Sequence, residues 1–238
     1  MRSQVALVTG ADRGLGRALV EGLLSNGWTV LAGQHLDWDE LDQLATRFPD
    51  TLRILPLNVS SDDSVLAAAD LAAERVSHLD VLIANAGINR SAHLNSVREP
   101  LDYEDMQAEF SVNALGPLRV VRAFLPLLDR SDLKRLCFVS SEAGSIGASE
   151  RTGWFGYCMS KAALNMAVKN LSNDLGGEGF TFRLYHPGWL RTYMRGTKNL
   201  KADMEPEEAA SVALRYFTDF DDREVLRYRD WQGSDLPW

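Results

Sequence analysis

Thr9-Gly10-Ala11-Asp12-Arg13-Gly14-Leu15-Gly16 follows the apolar run Gln4-Val5-Ala6-Leu7-Val8 and leads into a helical pattern from Leu15 to Ser25. Glycines at a strand-to-helix turn allow a tight reversal, close approach of bare backbone to a pyrophosphate, and close packing of helix on strand. The helix N-terminus then turns its N–H groups and positive dipole toward the anion. Glycines alone would also suit an ordinary tight turn. The strand before them and the helix after them favour the ligand.

Outward from this turn, strand-length apolar runs alternate with longer helical patterns. The strands are expected at Gln4 to Val8, Thr29 to Ala32, Arg53 to Leu57, Val81 to Ala84, Arg135 to Val139 and Thr181 to Tyr185, with an edge strand at Val225 to Tyr228. The helices are expected at Leu15 to Ser25, Glu40 to Arg47, Ser61 to Ser77, Met106 to Leu128, Gly156 to Leu175 and Pro206 to Phe217. Pro206 suits a first helical position, and Glu207-Glu208 suit the positive end of a helix dipole. Such alternation predicts an α/β fold with a parallel sheet and crossover helices on both faces. Right-handed crossovers give a doubly wound, Rossmann-type sheet of order 3-2-1-4-5-6-7, with the ligand crevice at the carboxyl ends of the strands. No linker rich in Pro, Gly or Ser interrupts it, so residues 1–238 are expected to form one domain that both binds a dinucleotide and carries the chemistry.

Composition excludes several classes. The chain has 238 residues, 45% hydrophobic and 24% charged, which suits a globular core and argues against disorder. Its formal net charge of −8 works against nonspecific nucleic-acid binding. Met1-Arg2-Ser3 leads straight into the first strand and no run is long enough to span a bilayer, so a cytoplasmic protein without membrane attachment is expected. Cys137 and Cys158 make neither a disulfide framework nor a metal site, and His78, His93 and His186 lack ligand spacing. No metal is expected.

The remaining motifs fall at the ends of the later strands. Asn85-Ala86-Gly87 ends the fourth, Ser140-Ser141 the fifth, and His186-Pro187-Gly188-Trp189 the sixth, with Thr192 beyond. Tyr157-Cys158-Met159-Ser160-Lys161 opens a helix, and i,i+4 spacing puts phenol and ammonium on one face. A free tyrosine titrates near pH ~10, and a neighbouring cation favours the phenolate, which moves the group toward proton transfer. The same spacing would also fit a core tyrosine with a surface lysine one turn away.

Taken together these motifs resemble the short-chain dehydrogenase/reductase family over nearly the whole chain from Val5. The extra residue between the first two glycines gives the TGxxxGxG form that this family uses. Resemblance implies a catalytic tetrad of Asn113, Ser141, Tyr157 and Lys161. It implies dinucleotide contacts from Gly10, Arg13, Leu15, Gly16, His35, Asn58, Val59, Asn85, Ala86 and Gly87. Tyr157, Lys161, Pro187, Gly188, Trp189 and Thr192 are implied at the nicotinamide end. The activity implied is interconversion of a carbonyl and an alcohol by hydride transfer, with Tyr157 as acid or base, Lys161 lowering its pKa and holding ribose hydroxyls, and Asn113 holding a water or a helix distortion. Asn58 stands where relatives usually have Asp.

The stretch from Ser141 to Tyr157 is longer than in many relatives and, with Gly144-Ser145-Ile146-Gly147, Gly153-Trp154-Phe155-Gly156 and Ser160 to Met166, is similar to the C-factor and Sniffer carbonyl-reductase branch. Trp154, Phe155, Trp189, Tyr193 and Met194 are expected to wall the substrate. NADP(H) is expected as the preferred cofactor, with NAD(H) as the alternative. Gln34 replaces the acid that NAD-specific relatives carry after the second strand, Arg13 can fork onto a phosphate, and His35 stands where a second Arg is common. Asp37 would argue for NAD(H) if the strand boundary shifted. A small carbonyl or alcohol is the implied partner, and a homodimer or homotetramer through the helices near 106–128 and 156–175 is a further expectation. The rival readings are a nonenzymatic dinucleotide sensor, which has no need of Tyr157, and a sugar epimerase or dehydratase, which usually has a longer substrate portion.

Overall fold

Runs of four to six residues, mostly apolar in β1, β2, β4 and β5, make the strands: β1 (Val5–Thr9), β2 (Thr29–Gln34), β3 (Leu52–Pro56), β4 (Val81–Ala84), β5 (Arg135–Val139), β6 (Thr181–His186) and β7 (Leu226–Asp230). The computed structural model describes residues 3–90, 96–194 and 196–238, so Met1, Arg2 and His93 lie outside the described residues. The strands form one sheet, β3-β2-β1-β4-β5-β6-β7, with all neighbours parallel. The expected order is the observed one. Every residue of β1, β4 and β5 is buried, because a parallel sheet covered on both faces hides both sides of its strands.

Among the described residues seven α-helices accompany it: α1 (Gly14–Ser25), α2 (Asp39–Arg47), α3 (Asp62–Arg75), α4 (Tyr103–Phe110), α5 (Gly116–Leu128), α6 (Phe155–Leu175) and α7 (Pro206–Phe217). Side-chain alternation along the strands divides the core. Ala6, Val8, Val30 and Ile83 face α1, α2 and α7, meeting Leu19, Leu23, Leu41 and Phe217. Leu7, Leu31, Leu82 and Phe138 face α3, α5 and α6, meeting Val65, Phe124, Leu164 and Val168. Each fully buried side chain of this kind contributes about 2 kcal/mol relative to exposure.

The single helix expected from Met106 to Leu128 is instead two helices joined by a π-turn at Ser111–Leu115. Pro117 explains the break, since it has no N–H to give the carbonyl of Asn113 four residues earlier. Helix caps also differ. Ser61 caps α3 by accepting from Ser64 N, and Asp102 caps α4 by accepting from Asp105 N. The start of α1 has no side-chain cap and no acid in its first turn. After β7 the chain folds back antiparallel along it, with Leu236 N donating to Tyr228 O at 2.9 Å. Among the described residues no helix is long and apolar enough to cross a membrane.

Candidate active site

The glycine turn is held open by close packing. Gly10 has φ +62°, and a Cβ there would lie 2.9 Å from Ala86 Cα. At Gly16 a Cβ would stand 2.0 Å from Gly10 O and 2.6 Å from Asn85 Nδ2, so no side chain fits between the turn and the end of β4. Asn85 ties the two together, donating Nδ2 to Thr9 O at 2.9 Å and to Gly10 O at 3.1 Å. Thr9 Oγ1 in turn accepts from Asn85 N and Ala86 N at 3.1 and 3.0 Å. The uncapped N–H groups of α1 therefore border a bare backbone cradle, an arrangement that fits a phosphate anion.

A cleft of about 1490 Å³ runs from this cradle along the carboxyl ends of the strands. Arg13, Leu15, His35, Asn58, Val59, Ala86, Gly87, Pro187, Gly188, Trp189 and Thr192 all line it. The Asn58 side-chain oxygen is occupied, accepting from Ser60 N at 3.0 Å and Ser60 Oγ at 2.7 Å. Two residues missed in the sequence organise the far end of the cleft. Asp12 Oδ1 accepts from His35 N at 2.6 Å and Leu36 N at 3.1 Å, and burial raises its pKa despite those bonds. Trp38 lies under Arg13, whose guanidinium is 4.9 Å from the ring centroid, and packs on Tyr193 at 5.4 Å. Asp37 is exposed and does not line the cleft.

At the other end Asn113, Ser141, Tyr157 and Lys161 converge, and all are buried. Asn113 sits in the π-turn. Its Oδ1 accepts from Ile88 N and its Nδ2 donates to Ile88 O, each at 2.9 Å, and Nδ2 also donates to Ser160 Oγ at 3.0 Å. One side chain thus binds the loop after Gly87 to the face of α6 that carries Lys161. Lys161 Nζ donates to Val139 O at 2.9 Å and lies 5.7 Å from the centre of the Tyr157 ring. Burial lowers the lysine to about 8. Burial also pushes the Tyr157 phenol up to about 12, while hydrogen bonding with Ser141 works in the opposite direction. The site therefore presents a protonated phenol and a hydroxyl side by side, with an ammonium behind them. Two such donors can hold one oxygen atom and pass it a proton.

The walls differ from expectation at one position. Trp154, Trp189, Tyr193 and Met194 line the cleft, but Phe155 does not. Trp154, the residue just before α6, packs edge to face on Tyr157 with rings 6.3 Å apart, whereas Phe155, the first residue of α6, lies outside the cleft lining. Trp154 has φ 58° and ψ 37°, a left-handed conformation that costs a bulky residue about 1–3 kcal/mol and is held only where packing demands it. Arg151 lies 4.5 Å over its ring and pairs with Glu142.

Residues 4–203 match the family model described as short chain dehydrogenase. The C-signal protein of Myxococcus xanthus is 42% identical over 160 residues, covering 67% of this chain and 93% of that protein. An NADPH-bound carbonyl reductase from chicken fatty liver superposes with a TM-score of 0.86 at 31% identity, covering 100% of both chains. The carbonyl reductase Sniffer of D. melanogaster, at 24% identity, shares the fold with a TM-score of 0.88 over 100% of both chains.

Proposed function

The chain belongs to the short chain dehydrogenase family and is an oxidoreductase, and from that premise we propose that it is an NADP(H)-dependent enzyme interconverting a carbonyl and an alcohol. The observation that carries the reading is that Ser141, Tyr157 and Lys161 line one end of a cleft, with Asn113 buried behind them on Ile88 and Ser160, and that the other end of the cleft is the glycine cradle. When bound, the dinucleotide supplies the hydride that the carbonyl carbon receives.

The chain's own residues do the rest. Gly10, Leu15 and Gly16 leave backbone room for the pyrophosphate at the start of α1. Arg13, its guanidinium 4.9 Å over the Trp38 ring, forks onto a 2′-phosphate, and no acid of β2 opposes it there, since β2 ends on Gln34. Ser141 and Tyr157 hold the substrate oxygen between two hydroxyl donors. Tyr157 gives its proton to that oxygen as negative charge develops there, or takes it back in the reverse direction. Lys161 offers its remaining donors to ribose hydroxyls and places positive charge behind the phenol, easing the loss of its proton. Asn113 supports this by bracing the Ile88 loop against α6. Trp154, Trp189 and Met194 exclude water from the substrate side and favour apolar groups flanking the carbonyl.

The test is a panel of aldehydes, ketones and quinones with NADPH, read by loss of nicotinamide absorbance. Turnover of at least one class is expected. Firm NADPH binding with no carbonyl consumed would replace this reading with that of a dinucleotide sensor.

A further inference from the structure

Ser141 is secured from behind by a part of the chain that neither the glycine turn nor the Tyr-Lys pair includes. It stands just past β5 with extended backbone, φ −161° and ψ 151°, where the ladder has ended and Glu142–Gly144 turns into a short 3-10 helix. Its carbonyl oxygen receives two donors. One is local, Gly144 N at 2.9 Å. The other is the buried hydroxyl of Tyr228 in β7, which donates at 2.7 Å across 87 positions of sequence. Only the second ties the turn to the far edge of the sheet.

The neighbouring groups reinforce the same point. Ser140 Oγ donates to Asn165 Oδ1 at 2.7 Å, and Asn165 Nδ2 donates to Gly144 O at 3.0 Å, so α6 grips the turn on both sides of Ser141. The segment beyond Tyr228 continues the frame. Trp238 packs on the Tyr228 ring at 5.6 Å, while the carbonyls of Pro237 and Trp238 accept from Ser145 Oγ at 2.5 Å and Gly147 N at 2.8 Å. These contacts hold the start of the stretch that leads to Trp154 and Tyr157.

We propose that Tyr228 is a positioning residue for the reaction, fixing the main chain of Ser141 so that the serine hydroxyl keeps its place beside the Tyr157 phenol. The proposal rests on the reading of Ser141 and Tyr157 given above. Its physical basis is that a displacement of about 1 Å in a catalytic group can cost up to ~100-fold in rate, and that one of the two bonds fixing this carbonyl comes from Tyr228. Removing the hydroxyl while keeping the ring leaves the packing against Trp238 in place.

The test is a double-mutant cycle of Tyr228→Phe with Ser141→Ala, measuring kcat, KM, NADPH affinity and thermal unfolding. Tyr228→Phe is expected to lower kcat about tenfold with NADPH affinity within about twofold, because the displaced group touches substrate and not the dinucleotide. In the Ser141→Ala background the same substitution should change the residual rate by less than about twofold, since its effect runs through Ser141. An equal tenfold loss in both backgrounds would assign Tyr228 a general structural role and overturn the proposal, as would an unchanged kcat. A Tyr228→Phe chain that fails to fold would give the hydroxyl a general structural role and overturn the proposal as well. Full turnover by Ser141→Ala would sink the catalytic reading itself and this proposal with it. Loss with Ser141→Ala but none with Tyr228→Phe would sink the proposal alone.

Discussion

The two ends of the sheet both carry buried polar clusters, and they are built to opposite specifications. At the amino ends, Asp80 accepts from Val5 N at 2.8 Å and from Ser131 Oγ at 2.5 Å, and His78 Nε2 lies 3.0 Å from its carboxylate. Ser131 Oγ accepts in turn from Leu133 N at 3.0 Å. This cluster turns its bonds inward. At the carboxyl ends Tyr157, Ser141 and Lys161 also lie buried, but they line an open cleft, and Lys161 spends one donor on Val139 O. Satisfied buried networks stabilise a fold, whereas groups held ready for partners outside the chain do chemistry.

The sharpest way to break this contrast is to remove one hydroxyl at the open end. Tyr157→Phe is expected to lower kcat about 1000-fold while NADPH affinity and unfolding free energy stay near the parent's, because the ring still packs. A variant keeping most of its kcat would show that the phenol is not the acid. Asp80→Ala should do the reverse, costing roughly 3 kcal/mol in denaturant unfolding by stranding Val5 N and Ser131, with kcat little changed below the new transition. A large loss of kcat in folded protein would mean that the two ends are coupled.

A pH profile sharpens the comparison further. Burial lowers Lys161 to about 8, so it carries its charge below that pH and loses it above. Tyr157, pushed up to about 12, stays protonated throughout the working range. Carbonyl reduction should therefore hold level through neutrality and fall above about pH 8 as the cation behind the phenol disappears. A rate flat to pH 10 would remove Lys161 from that role. The smallest effect is expected at the outer rim, where Arg13→Ala should reduce the NADPH over NADH preference in kcat/KM by about tenfold, the worth of one forked phosphate contact. An unchanged ratio would leave Arg13 only its packing on Trp38.

Legibility varied with the range of the interaction involved. The glycine turn and the Tyr157–Lys161 face were readable because each rests on local spacing and glycine placement, and strand order followed from the alternation of strands and helices joined by right-handed crossovers. The π-turn was readable in principle from Pro117, yet a helical periodicity running through Met106 to Leu128 masks it. Phe155 was expected on the cleft wall with Trp154, but the left-handed backbone at Trp154, which its residue type does not announce, parts the two side chains.

What the sequence by itself determined is the chemistry available and its order along a doubly wound sheet, since those follow from residue type and from neighbours a few positions apart. Only the tertiary structure decided which partners hold those groups: Asp12 on the exit of β2, Trp38 beneath Arg13, Asn113 on Ile88, and Tyr228 on Ser141. Each joins segments 23 to 87 positions apart. No local propensity encodes such a pair, because its contact exists only when the fold has brought both segments together.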